Sequence, residues 1–174
     1  GASELEQAPA VPEADPARPA LPPPLEAELR SALGAVRADP PPPATTRNRH
    51  YFVSNENQHH LWRDAIADLG GILIGVGTDQ NYLFAGWSRP DVLVLLDYDQ
   101  WVVDLNWVYG LVFEKTTSPD ELLDAWSYAK RPLVRGWIEE RWPEPKARLA
   151  KLRAFEKARG EVHGRLERVK RRHD

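Results

Sequence analysis

The sequence predicts an α/β fold: a small, mostly parallel sheet of about three strands, flanked by helices and followed by a long C-terminal helix. Three observations predict it. Ile72-Leu73-Ile74 and Asp91 to Leu96 (DVLVLL) are short apolar runs without alternation, the pattern of strands buried on both faces. The segment between them and the segment after the second have helical character. Gly, Pro, Ser and Asp stand at the junctions, where turns and caps need them.

The elements follow in order. Residues 1–46 are rich in Pro, Ala and Glu, and eleven of the 16 prolines fall before residue 44. Pro fixes φ and lacks an N–H, so an extended arm is expected there. Leu25, Leu29, Leu33 and Val36 are spaced for one helical face and predict a short helix within it. Tyr51-Phe52-Val53 predicts a first strand. Ser54 or Asn55 then caps a helix through Leu61, Ala65, Ile66 and Leu69, closed by Gly70-Gly71. Strand 72–74 leads through Gly75-Val76-Gly77 to a helix over 79–87, which Arg89-Pro90 ends. Strand 91–96 follows. A helix over 101–113 comes next, with Val102, Leu105, Val108, Tyr109 and Val112 on one side. Ser118-Pro119-Asp120-Glu121 starts another helix: Ser caps, Pro takes the first helical position, and Glu reaches back. Pro132, Pro143 and Pro145 interrupt the chain. From Lys146 to Asp174 eleven Lys/Arg and four acids surround a thin apolar stripe (Leu149, Leu152, Phe155, Val162, Leu166, Val169), which reads as one long basic helix. Three regions result: an arm (1–46), a core (47–130) and a helical extension (131–174).

Composition narrows the function. Apolar residues make up 42% of the 174, enough for a packed core, and net charge is −3, so nucleic acid is not an expected partner. The absence of Cys removes disulfides, thiolate nucleophiles and Cys-based metal sites. Gly1-Ala2-Ser3 reads as a scar of tag removal, so residue 1 is not the expected natural start. A Pro-rich arm of this kind favours an exported or membrane-tethered setting over a cytoplasmic one. No apolar run reaches membrane-span length.

Strand, Gly-x-Gly turn, helix, strand and acid together form a Rossmann-like arrangement for a nucleotide-like ligand. Gly75 and Gly77 permit a sharp turn and close approach of backbone to ligand. Thr78, Asp79, Gln80 and Asn81 open the helix beside them. Asp97, twenty residues after Gly77, and Asp99 stand at the end of the next strand, where an acid accepts hydrogen bonds from ribose hydroxyls. A third glycine is missing, and Asp79 on the turn repels a pyrophosphate. Both features turn the expectation from NAD or FAD toward S-adenosylmethionine, whose centre is cationic. No metal is expected.

Tyr51 to Glu56 (YFVSNE), Gly75 to Tyr82 (GVGTDQNY), Arg89-Pro90 and Leu96 to Asp99 (LDYD) together resemble a little-characterised bacterial family. Its members carry a similar G-V-G-x-x-Q-N-Y turn and a D-x-D strand end. That family resembles class I S-adenosylmethionine-dependent methyltransferases in fold. The resemblance covers about residues 50–128. It implies that Gly75, Gly77, Gln80, Asn81 and Asp97 line a ligand pocket, and it assigns no catalytic residue. Such methyltransferases have larger sheets, so completion of this one by another chain is a further expectation.

Two other readings compete. One is a tethered, non-catalytic scaffold that pairs with a second copy or another protein through its Trp-rich helices (Trp101, Trp107, Trp126, Trp137, Trp142). The other is a metal-dependent hydrolase built on Asp97, Asp99 and His59. The basic C-terminal helix is read either as solvated or as a surface for an anionic partner.

Overall fold

The computed structural model describes residues 26–37, 40 and 49–173. Most of the expected arm lies outside these residues. Within it, α1 (Ala27–Gly34) forms where the Leu spacing placed a helix, and it buries no residue.

The sheet has two strands, β1 (Ile72–Val76) and β2 (Val92–Leu96), paired in parallel from Ile72↔Val92 to Val76↔Leu96. α2 (Arg63–Ile66) precedes β1, α3 (Asp79–Ser88) joins the strands, and α4 (Gln100–Lys115) follows β2. α5 (Pro119–Ala125), α6 (Arg131–Arg141) and α7 (Pro145–His173) complete the chain. Among the described residues no helix is long and apolar enough to cross a membrane.

The third strand expected at 51–53 is not formed. Its backbone is committed elsewhere: the Phe52 carbonyl accepts from the Thr78 hydroxyl (2.7 Å), and the Ser54 N–H donates to Asp79 Oδ1 (2.6 Å). Side chains of the glycine turn replace a neighbouring strand, and Phe52 itself enters the helical core. The helix expected over 55–69 is reduced to a 3-10 turn (His59–Trp62) and the single turn of α2. Ser54 Oγ, the expected cap, donates to Gln80 Oε1 (2.8 Å) instead. Leu61 and Leu69, expected to be buried, are exposed. Gly70 and Gly71 do take positive φ, with Asp68 ahead of them at +54°.

β1 is covered on one face only, against the expectation of two, while on the same face of β2 Val92 is buried and Val94 partly buried. Ile72, Ile74 and Val76 alternate outward, each more than 60% exposed, and Leu96 stands exposed across from Val76. Period-two geometry sets Leu73, Leu93 and Leu95 on the other, partly covered face.

The core lies among the helices. α4 supplies Leu105, Val108, Tyr109, Leu111 and Val112; α5 and its cap supply Ala125 and Trp126; α6 supplies Val134 and Ile138. α7 supplies Ala154, Phe155, Ala158 and Val162, all fully buried. The 29-residue α7 is therefore part of the same core and not an extension beyond it. α4 and α7 share this core, and Lys151 pairs with the buried Asp104 (2.8 Å). Glu156 fastens α7 to α6 through Arg131 and Arg135 (2.8 and 2.7 Å).

Caps behave largely as the sequence dictates. Ser118 Oγ accepts from the Glu121 N–H (3.2 Å). Glu121 reaches one residue further back than expected, accepting from Thr117 N–H and hydroxyl (2.7 and 2.8 Å), and these bonds hold its carboxyl below the usual range. Pro132 and Pro145 begin α6 and α7, where a missing N–H is harmless.

Candidate functional site

A cavity of about 440 Å³ opens at the carboxyl ends of β1 and β2. Gly77, Thr78 and Gln80 form one wall, and Asp97, Tyr98 and Asp99 form the opposite wall. The segment Tyr51 to Glu56 closes the third side, with Val76 and Val102 among the apolar lining residues. Open parallel sheets bind ligands at this place because the chain leaves each strand there, splaying the loops apart.

The turn is built around two glycines with different tasks. Gly77 has φ +89°, a conformation costly for any residue with a Cβ. Its N–H donates to the Leu96 carbonyl (3.2 Å) and its carbonyl accepts from Asn106 Nδ2 (3.1 Å), so β2 and α4 fix it from both sides. Gly75 makes room for Asn81: a Cβ there would lie 2.0 Å from Asn81 Oδ1. Asn81, buried, donates Nδ2 to the Val76 carbonyl (2.7 Å). Gly75 and Asn81 therefore shape the turn from behind and do not line the cavity.

Asp79 is also placed differently from the expectation. Its carboxylate points away from the cavity into a buried ion pair with Arg165 (2.8 Å), both side chains under 7% exposed. Arg165 Nη2 donates further to the Glu56 carbonyl (2.9 Å). One α7 side chain thus ties the turn to the 51–56 segment. The charge of Asp79 is neutralised before any ligand meets it.

Of the remaining expected residues, Gly77, Thr78, Gln80, Asp97 and Asp99 do line the cavity. The Thr78 hydroxyl is spent on Phe52. Asp99 is heavily committed: Oδ1 caps α4 through the Trp101 N–H (3.0 Å), and Oδ2 accepts from His50 Nδ1 (2.7 Å). His50 is held by ring contacts with Phe52 and Trp101. Asp97 Oδ1 accepts from the Asp99 N–H (2.8 Å), and the Tyr98 N–H also bonds to the carboxylate. Burial raises the Asp97 carboxyl above its ordinary 3.8; the N–H of Asp99 opposes this and the Asp99 charge adds to it.

Tyr51, Ser54, Glu56 and Tyr98 also line the cavity, although the sequence reading gave them no site role. Tyr51 and Tyr98, both more than half exposed, flank the opening. Tyr98 sits inside the Asp97-Tyr98-Asp99 signal and could have been read from it. Glu56 closes the YFVSNE segment that carries the resemblance, whereas His50 meets Asp99 only through the tertiary fold. Three carboxylates (Glu56, Asp97, Asp99) and no Lys or Arg line this cavity.

The metal set of Asp97, Asp99 and His59 is not assembled. His59 is buried beside Arg165 (3.4 Å) and lines other cavities, and it is His50 that meets Asp99. Among the described residues no group of three or more His, Cys, Asp or Glu is placed to hold a metal ion.

Fold and cavity define an α/β domain with a two-stranded parallel sheet and a polar, acidic cavity at the strand ends. Residues 51–174 match the family described as a domain of unknown function, DUF7790, and the chain belongs to that family. The match begins at Tyr51, where the wall of the cavity begins, and leaves the N-terminal arm outside. A search of curated proteins finds no match to the chain.

Proposed function

We propose that the strand-end cavity binds an adenosyl ligand, S-adenosylmethionine or a close relative, in a Rossmann-like manner related to that of methyltransferases. The observation that carries this reading is the charge of the lining: three carboxylates and no cationic side chain. A phosphate would be repelled, whereas a sulfonium centre and ribose hydroxyls are matched. Asp97, whose carboxylate otherwise meets only backbone N–H groups, accepts from the hydroxyls. Tyr98 offers an aromatic face to the base at the opening, Tyr51 has the Arg49 guanidinium over its ring (5.1 Å), and Val53, Val76 and Val102 supply apolar contact. The volume of about 440 Å³ falls in the ordinary range for small-molecule sites. No catalytic base is assigned; positioning alone can supply much of the rate of a methyl transfer.

The test is a thermal-shift and calorimetric titration with S-adenosylmethionine and S-adenosylhomocysteine. At 100 times the dissociation constant, binding adds about 2.7 kcal/mol to stability. Asp97→Asn should cost about 1.5–3 kcal/mol of that affinity, as expected for hydrogen bonds to a charged acceptor. The pH dependence has a definite sign. The folded-state pKa of Asp97 is raised, so its ionised form subtracts stability as pH climbs through the window above 3.8. The ligand binds the ionised form. Affinity should therefore fall as pH drops through that raised value, and Asp97→Asn should flatten the profile. Failure of both adenosyl ligands to bind sinks the reading.

A second reading is favoured by the bare sheet face. Ile72, Ile74, Val76 and Leu96 form an uncharged apolar surface on strands with no Lys, Glu or Pro to block pairing. In this reading the domain is a non-catalytic scaffold whose face packs on a second copy. Sedimentation should show a dimer that Ile74→Lys dissociates; a monomer at high concentration excludes it.

A further inference from the structure

α7 is basic, but its cations are not equally used. Of its eleven Lys and Arg, six are engaged within the chain. Lys151, Arg165 and Lys170 pair with Asp104, Asp79 and Asp120. Arg148, Arg159 and Arg172 donate to the carbonyls of Pro143, Trp126 and Asn57. The other five, Lys146, Arg153, Lys157, Arg168 and Arg171, are exposed and make no ion pair or side-chain hydrogen bond among the described residues. At 3.6 residues per turn these five fall within about 60° of one another, in a single stripe roughly 37 Å long. The stripe runs along the face opposite Ala154, Phe155, Ala158 and Val162, which the core holds, so it is rigid and faces outward. Glu161 and Glu167 border it, and no acid lies within it.

We propose that this stripe is the docking surface for an acidic α-helix of another protein. Charge carries the assignment: five unpaired cations on one rigid face match carboxylates that recur at helical spacing on a partner. Shape selects the helix. Between Lys157 and Arg168 the stripe is continued by Gly160 and Gly164. A Cβ at Gly160 would meet nothing within 4 Å, and one at Gly164 only the flexible end of Arg168, at 3.5 Å. The fold therefore asks for neither glycine, although each weakens the helix relative to Ala. The gap from Lys157 to Arg168 is about 16 Å along the axis. A helix roughly 10–12 Å across, crossing at the common angle of about 50°, occupies roughly 13–16 Å of α7. It sits on the glycines and its acids reach Lys157 on one side and Arg168 on the other. A planar lipid headgroup layer would leave the gap empty, and a second copy of α7 would bring like charges together. The net charge of −3 opposes nucleic acid. Nothing in this assignment depends on what the strand-end cavity binds.

The experiment uses the ¹⁵N-labelled full chain and a capped peptide of three heptads, (EAAQEAA)3, whose Glu residues line one helical face. Saturable amide shifts are expected at Lys157, Gly160, Gly164 and Arg168, and none with the neutral counterpart (QAAQQAA)3. Lys157→Glu combined with Arg168→Glu should weaken binding about tenfold or more, by turning attraction into repulsion. Gly160→Leu combined with Gly164→Leu separates docking from folding. Both positions gain helix propensity, so the melting temperature should rise by a few degrees, yet filling the gap should weaken binding about tenfold. Absence of saturable shifts, equal binding of the neutral peptide, or unchanged binding in either double variant would each overturn the assignment. So would tighter binding to phosphatidylserine vesicles or to a DNA duplex than to the acidic peptide.

Discussion

Arg165→Ala is expected to destabilise the protein by about 3–5 kcal/mol, the usual effect of removing one partner from a buried ion pair. Its side chain is 4% exposed and that of Asp79 is 6% exposed. Deleting the guanidinium leaves a buried carboxylate whose remaining hydrogen bond comes from the Ser54 N–H, and it leaves the Glu56 carbonyl without its donor. For a chain of this length the melting temperature should fall by on the order of 10 °C. Arg165→Lys keeps the charge but not the fork that reaches Asp79 and Glu56 together, so it should recover only part of the loss. The damage extends to the strand-end cavity, because Arg165 joins the turn to the 51–56 wall across 109 residues of sequence. Circular dichroism melts of the three proteins check this; a neutral Arg165→Ala would show that the pair does not hold the fold.

Phe155→Ala is the second large effect. Phe155 is fully buried on α7 and packs its ring against Trp126 at 5.6 Å. Removing a buried aromatic ring costs about 3–5 kcal/mol, part transfer free energy and part cavity. Leu149, on the same helix and in the same predicted stripe, is 48% exposed. Leu149→Ala should change stability by no more than about 0.5 kcal/mol. Urea unfolding of both variants separates a helix packed into the core from one lying on its surface. Equal, small effects from the two substitutions would mean that α7 contributes little to the core.

The candidate site follows from the same packing. The Asp97 carboxylate is met only by backbone N–H groups of the next two residues, while both oxygens of Asp99, two residues on, are engaged, by the α4 cap and by His50. Two acids one and three residues past the end of β2 thus acquire different roles. On the proposed reading the acidic lining suits a cationic, hydroxyl-bearing ligand, and the pairing of Asp79 with Arg165 removes the one carboxylate that the turn itself contributed.

What the sequence determined by itself was local. Two parallel strands, the helices over 79–88 and 100–115, the Ser118 cap and the long C-terminal helix all formed where periodicity and caps placed them. So did the buried face of α4, because 3.6-residue spacing makes one face apolar wherever the helix ends up. The Gly-x-Gly turn and the acid at the strand end were legible for the same reason: both are set by backbone geometry within a few residues. The tertiary structure decided the rest. Tyr51 to Val53 reads as a strand, but Thr78 and Asp79 claim its backbone groups and Phe52 is drawn into the core. The apolar runs of β1 and β2 read as doubly covered, yet no helix covers Ile72, Ile74 and Val76. The basic α7 reads as a solvated extension, yet its Ala and Phe side chains complete the core and its Arg165 closes the turn. Each of these outcomes depends on contacts across tens of residues. Local pattern records only which face of an element is apolar, and not which neighbour, if any, arrives to cover it.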